Sequence, residues 1–193
     1  MRLVVGITGA TGSILGVRLL AALRELDVET HVVLSRWGRV TLEMETGLTA
    51  SDVYDLADHV HGTGDQAAAI SSGSFRTDGM IIAPCSMKTL AAIRAGYGDG
   101  LIARAADVTL KERRRLVLVP RELPFSEIHL ENMLALTKMG AVVAAPVPAF
   151  YTKPQSVEDV VEHICARVLD QFGLDLPVLR WPDCRKPSTS ESR

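Results

Sequence analysis

The chain of 193 residues sets 21 Lys and Arg against 23 Asp and Glu, and is 47% hydrophobic with only 5% aromatic residues. That balance describes one globular domain with an aliphatic core. It excludes the sustained cationic excess that a nucleic-acid footprint or a polybasic membrane surface requires. No apolar run approaches the length of a membrane span and the first residues have no signal-peptide layout, so the cytoplasm is the expected location. The three cysteines, Cys85, Cys165 and Cys184, lie far apart and support neither a disulfide framework nor a CxxC zinc site. Among the five histidines only His59 and His61 are close in sequence, and no metal is expected.

Leu3 to Thr8 forms a first buried-strand pattern running into Gly9-Ala10-Thr11-Gly12-Ser13, after which Leu15, Leu19, Leu20 and Leu23 mark one face of a helix. A strand, a Gly-rich turn and a helix N-terminus suit a phosphate. Glycines let the backbone approach closely, first-turn N–H groups lack internal partners, and the helix dipole favours an anion. The alternative is a close turn that binds nothing. Glu29 to Leu34 supplies a second strand, and Ser35-Arg36 follows where an NAD-preferring enzyme places an acidic residue for the ribose. A hydroxyl and a guanidinium suit a phosphate better, that of NADP included. Arg39 to Thr46 is helical in pattern, with Glu45 on pattern alone a solvated helix acid. A short helix near Ser51 to Ala57 precedes a polar segment from His61 through Ser74, either a loop over a site or a surface excursion. Gly79 to Pro84 returns as a buried strand, and in Cys85-Ser86-Met87-Lys88-Thr89 the Ser86 hydroxyl is placed to cap a helix. A capped N-terminus and an anion site use the same amides.

That helix continues through Ala91 to Ala95 until Gly96-Tyr97-Gly98-Asp99-Gly100 breaks it, and Leu101 to Leu110 forms another, bearing Arg104 and Asp107. Leu116 to Val119 is then a buried strand, preceded by Lys111-Glu112-Arg113-Arg114-Arg115 and followed by Pro120-Arg121-Glu122. Ligands of open α/β sheets bind outside the carboxyl ends of the strands, which makes Arg121 and Glu122 leading site candidates. Glu112, Arg113 and Arg114 are expected to form a solvated helix end. Pro124 and Ser126 open a helix reaching about Met139, Ala141 to Ala144 is a short strand, and a Pro-rich loop from Pro146 to Pro154 leads to a helix from Ser156 to Phe172. This alternation specifies a single doubly wound α/β domain over residues 1–182, a Rossmann/flavodoxin-like parallel sheet with helices on both faces. The polar tail 183–193 is expected to be disordered.

Several blocks, in order, resemble the UbiX-type flavin prenyltransferases: Gly9-Ala10-Thr11-Gly12, Ser35, Glu45-Thr46, Ser71-Ser72-Gly73-Ser74, Pro84-Cys85-Ser86, Arg104-Ala105-Ala106-Asp107, Leu110-Lys111-Glu112-Arg113-Arg114, Val119-Pro120-Arg121-Glu122 and Phe150-Tyr151. The resemblance spans Arg2 to Trp181. It implies transfer of a dimethylallyl group from dimethylallyl monophosphate to N5 and C6 of reduced FMN, without a metal, the product serving a UbiD-type decarboxylase. It further implies that Gly9, Ala10, Thr11, Ser35, Ser86, Met87, Lys88, Thr89 and Arg121 bind FMN. Arg104, Lys111, Arg121, Tyr151 and Arg167 would bind the prenyl phosphate, and Thr11, Glu45, Glu122 and Lys111 would serve catalysis. A homo-oligomer, commonly a dodecamer, with sites completed by neighbouring copies, is implied as well. The chain departs from the family in having Thr11 where serine is usual, and Ala67 to Ile70 where some members place a tryptophan.

The residue types suit that chemistry independently. An allylic phosphate ionises when charge on the departing oxygens is stabilised, and clustered Lys, Arg and Tyr donors do this without a metal. Carboxylates beside the acceptor ring can take up its proton. A short-chain NADP reductase shares the opening Thr8-Gly9-Ala10-Thr11-Gly12, but Tyr54, Tyr97 and Tyr151 are followed four positions later by Asp58, Leu101 and Gln155, so the Tyr-x-x-x-Lys relay is missing. An FMN-dependent cysteine decarboxylase and an FMN carrier or assembly subunit are the other readings.

Overall fold

The computed structural model describes residues 1–181. The tail 183–193, and with it Cys184, lies outside the described residues.

Six strands form one parallel sheet in the order β3-β2-β1-β4-β5-β6. They are β1 (Arg2–Ile7), β2 (Glu29–Leu34), β3 (His59–His61), β4 (Gly79–Cys85), β5 (Arg115–Pro120) and β6 (Val142–Val143). The helices are α1 (Ser13–Glu25), α2 (Arg36–Thr46), α3 (Ala50–Tyr54), α4 (Met87–Ala95), α5 (Leu101–Lys111), α6 (Glu127–Lys138) and α7 (Val157–Leu169). Beyond α7 the expected continuation to Phe172 is a 3-10 turn, Asp170–Phe172.

Alternation along the strands sorts the helices into two layers. Leu3, Val5 and Ile7 of β1, with Ile81 and Ala83 of β4, pack against α1, α2 and α7. Val4 of β1, Met80 and Ile82 of β4 and Leu118 of β5 face α4, α5 and Leu136 of α6. Both faces of β1, β4 and β5 are therefore covered, which is why these strands are continuous apolar runs. Leu15, Leu19, Leu20 and Leu23 of α1 are all buried, as the periodicity predicts. Each such side chain contributes roughly 1.5–3 kcal/mol, so packing holds α1 although its cap residue, Gly12, offers no side chain. Gly12 is in the left-handed region at φ 95°, and a Cβ on Gly16 would lie 2.6 Å from the Ala83 carbonyl oxygen. The first lets the chain turn off β1, and the second lets α1 lie directly on β4.

Strand order reverses between β1 and β4, so a crevice opens at their carboxyl ends. The three-residue β3 was not expected from the sequence. With it the order is the Rossmann one; without it the remaining five strands would run 2-1-3-4-5, as in flavodoxins.

Candidate active site

Three loops converge on the switch point. The Thr8 hydroxyl after β1 donates to the Pro84 carbonyl at 2.8 Å and accepts the Ser86 N–H at 2.7 Å. Ser86 in turn accepts the Thr89 N–H at 3.2 Å and caps α4. Ser35 caps α2 by accepting the Gly38 N–H at 2.9 Å, so α2 starts at Arg36, three residues earlier than expected. Two hydroxyl-capped helix N-termini thus face one cavity of about 330 Å³, lined by Gly9, Ser35, Ser86, Lys88 and Thr89 on its polar side. Trp37, Tyr97 and Leu101 to Ala103 supply apolar wall. The sequence did not mark these as site residues, although Trp37 directly follows the predicted Ser35-Arg36 and is 63% exposed. The donor set fits FMN: capped helix ends and the Lys88 ammonium suit a phosphate, and the aromatic and aliphatic wall suits a ring system.

The Gly-rich turn behaves differently from expectation. The Glu45 carboxylate on α2 accepts the Gly12 N–H at 2.9 Å and the Ser13 N–H at 2.9 Å, so the anion at the start of α1 is internal. Partial burial pushes the Glu45 carboxyl up, but hydrogen bonds from Thr11, Ser13 and Gly12 outweigh it and hold the group below its ordinary 4.5. A lowered folded value stabilises the protein above pH 4.5, and that contribution is lost as pH falls through the folded value. Glu45→Gln is expected to lower Tm at neutral pH, with the gap to wild type closing below pH 4.5. Melting curves across that range check it, and a gap independent of pH would refute it.

Arg121 and Glu122 lie beside this crevice, one strand along. The Arg121 N–H donates to the Cys85 carbonyl at 3.3 Å, which ties the end of β5 to the end of β4. The Arg121 guanidinium, exposed, has no hydrogen-bond or ion-pair partner among the described residues. Glu122 is half-buried and, among the described residues, accepts only the adjacent Leu123 N–H, at 3.2 Å. Ala10 holds the turn through its N–H to the Thr8 carbonyl, and Met87 packs on the core beneath α4. Burial pushes the Cys85 thiol up to about 12, so this cysteine offers no thiolate at neutral pH.

The other predicted residues are dispersed within one chain. Tyr151 and Arg167 line a second cavity of about 480 Å³ beside β6. Tyr151 is hydrogen-bonded to His163 at 3.3 Å, and Arg167 pairs with Asp170. Arg104 donates to the Ser71 carbonyl at 3.1 Å and to Asp107 at 2.8 Å, holding the 71–77 segment against α5. Arg114, expected to be solvated, pins the same segment through the Gly73 and Phe75 carbonyls at 2.7 and 2.9 Å. Lys111, paired with Glu112, ends α5 at the amino-terminal edge of the sheet. It precedes the six residues of β5 whereas Arg121 follows them, and such a strand spans roughly 20 Å. No single phosphate reaches both within one chain.

A switch-point cavity between hydroxyl-capped helices, with no acid after β2 to hold a dinucleotide ribose, defines a mononucleotide-binding flavoprotein of the doubly wound class. The flavoprotein family model matches residues 1–169. The chain is 66% identical over 187 residues to a probable UbiX-like flavin prenyltransferase of Streptomyces sp. (strain D7), covering 96% of this chain and 94% of the relative. A dodecameric FMN-dependent UbiX-like decarboxylase from Escherichia coli O157:H7 superposes with a TM-score of 0.93 at 65% identity, over 94% of this chain and 99% of that one. AnUbiX (PadA1), solved in complex with FMN and dimethylallyl pyrophosphate, gives 0.93 at 58% identity over 93% and 96%. The chain therefore belongs to the flavoprotein family and, within it, to the UbiX-like flavin prenyltransferases.

Proposed function

We propose that the chain transfers the dimethylallyl group of dimethylallyl monophosphate to N5 and C6 of reduced FMN, and that the prenylated flavin passes to a UbiD-type decarboxylase. The observation that carries this reading is the juxtaposition, at one end of the sheet, of the switch-point cavity with Arg121 and Glu122, a cation and a carboxylate not paired to each other. The AnUbiX structure, which holds a flavin and an allylic phosphate ester together, supports it. Bound reduced FMN supplies the nucleophilic ring that accepts the prenyl carbon.

In this reading Gly9, Ala10, Thr11, Ser35 and the segment Ser86 to Thr89 hold the flavin, with Lys88 and the capped helix ends on its phosphate. Arg121 bridges flavin and prenyl phosphate. Arg104, Lys111, Tyr151 and Arg167 complete the phosphate site, where their donors stabilise charge on the departing oxygens. Glu122 takes up the proton that leaves the ring, and Glu45 acts by holding Thr11 and the turn in place. Because Lys111 lies at the far edge of the sheet, the site is completed by neighbouring copies, and a homo-dodecamer is the assembly proposed. Support comes from apolar side chains left exposed around α6, with Leu123 at 82%, Ile128 at 66% and Leu134 at 56%. Of the described residues, no helix is long and apolar enough to cross a membrane.

The test is anaerobic incubation of the protein with reduced FMN and dimethylallyl monophosphate, or in parallel the diphosphate, followed by mass analysis of the released flavin. A flavin heavier by one dimethylallyl unit is expected with the monophosphate. Recovery of unmodified FMN with both donors would overturn the assignment and favour a carrier or a decarboxylase.

A further inference from the structure

At the amino-terminal end of the sheet, away from the switch point, β2 and β3 bring together residues that the sequence keeps apart. The register pairs His31 with His59. Glu29 and His31 lie two apart on β2 and so share one face, as His59 and His61 do on β3. His31 Nε2 and His59 Nε2 each lie 3.3 Å from Glu29 Oε1, and one ligand atom from each of the three residues falls within 4.8 Å of the others. A tetrahedral zinc ion with ligand bonds of about 2.0–2.2 Å holds its ligand atoms roughly 3.3–3.5 Å apart. Two of the three separations already have that value, and the third lies within 4.8 Å.

We propose that Glu29, His31 and His59 form a binding site for a divalent transition-metal ion of the zinc class, which ties the three-residue edge strand β3 to β2.

The donor chemistry selects this class, since two imidazole nitrogens and one carboxylate oxygen suit zinc, whereas magnesium and calcium take oxygen ligands. The surroundings are those of a supported site. His31 Nδ1 lies 2.9 Å from His61 Nε2, and an Nδ1–H donated there leaves the Nε2 lone pair directed at the ion. Arg2 Nε donates to Glu29 Oε1 at 2.8 Å and orients the carboxylate. Its positive charge opposes the ion and sets a limit on affinity. Phe75 closes the floor, edge-on to His31 at 5.2 Å. The His31 side chain is only 4% exposed while those of His59 and Glu29 are 50% and 35% exposed, so the ion has an entry path and room for water as fourth ligand.

The experiment is equilibrium dialysis of the tag-free full chain against zinc chloride, with metal content and Tm read before and after chelator treatment. One ion per chain is expected, with Tm falling on chelation. His59→Ala and Glu29→Gln should each lose stoichiometric binding, and His61→Gln should weaken it about 10–100-fold. His59 lies outside the flavin cavity, so His59→Ala should still bind FMN, which reports that the variant is folded. Cobalt substitution gives a second readout: the visible bands of a tetrahedral ion should appear in wild type and be absent from both variants. Wild-type protein that retains no zinc, or His59→Ala and Glu29→Gln chains that bind it as wild type does, would overturn the proposal.

Discussion

Replacing Glu122 by Gln is expected to slow prenyl transfer by about 10²–10⁴-fold, the range typical of losing a positioned general base, while FMN binding stays within a few-fold of wild type. The substitution keeps the shape of the side chain and the carbonyl that accepts the Leu123 N–H, its one hydrogen bond among the described residues. It removes only the capacity to take up a proton. Among the described residues no Lys or Arg pairs with Glu122, so the amide strands no buried cation there and the fold should be indifferent to the change. Glu122 lies immediately past β5, one residue after Arg121, at the carboxyl end of the sheet, and the proposed function gives it the ring proton. Single-turnover conversion under anaerobic conditions, read by flavin mass, measures the chemical step, and quenching of flavin fluorescence measures binding. Turnover within about threefold of wild type would remove Glu122 from the chemistry and leave the ring proton to another acceptor.

Where burial is two-sided, the fold was legible. β1, β4 and β5 are short apolar runs because helices cover both faces, and the caps Ser86, Ser126 and Ser156 stand where the sequence starts those helices, whereas Ser35, which caps α2, does not announce itself as a cap. β3 was not legible, because His59-Val60-His61 is a polar edge strand whose pairing partner lies 28 residues earlier. The same blindness hid the proposed metal site: sequence spacing joins His59 to His61, and only the parallel register brings in His31. At the candidate active site, strand-end residues could be anticipated from the general geometry of open sheets. The cavity wall at Trp37, Tyr97 and Ile102 could not, since an aromatic or aliphatic residue looks the same in sequence whether it faces a core or a ligand. Glu45 and Arg114 show the reverse difficulty. Each was expected to be solvated, yet each satisfies backbone groups that lie more than thirty positions away in the chain.

Co-assembly of two inactive variants is expected to restore prenyl transfer. Lys111 and Arg121 flank opposite ends of β5, roughly 20 Å apart by the rise of a strand. If both act on one phosphate, they come from different copies. Each single variant, Lys111→Ala or Arg121→Ala, should lose about 10²–10³ in turnover, as removal of one transition-state donor does. When the two are co-expressed and assemble at random in equal amounts, about a quarter of sites draw both residues from intact copies, so activity should return to about a quarter of wild type. The rise over either parent is more than tenfold and cannot arise from a simple mixture of inactive chains. Mixing the purified variants without subunit exchange should recover nothing, which separates assembly from contamination. Co-expressed chains shown by differential tagging to be in the same oligomer, yet no more active than their parents, would show that Lys111 and Arg121 do not serve a shared site. The phosphate-binding role would then fall to Arg121 with Arg104, Tyr151 and Arg167, and Lys111 would be left with its salt bridge to Glu112 beside Gly73.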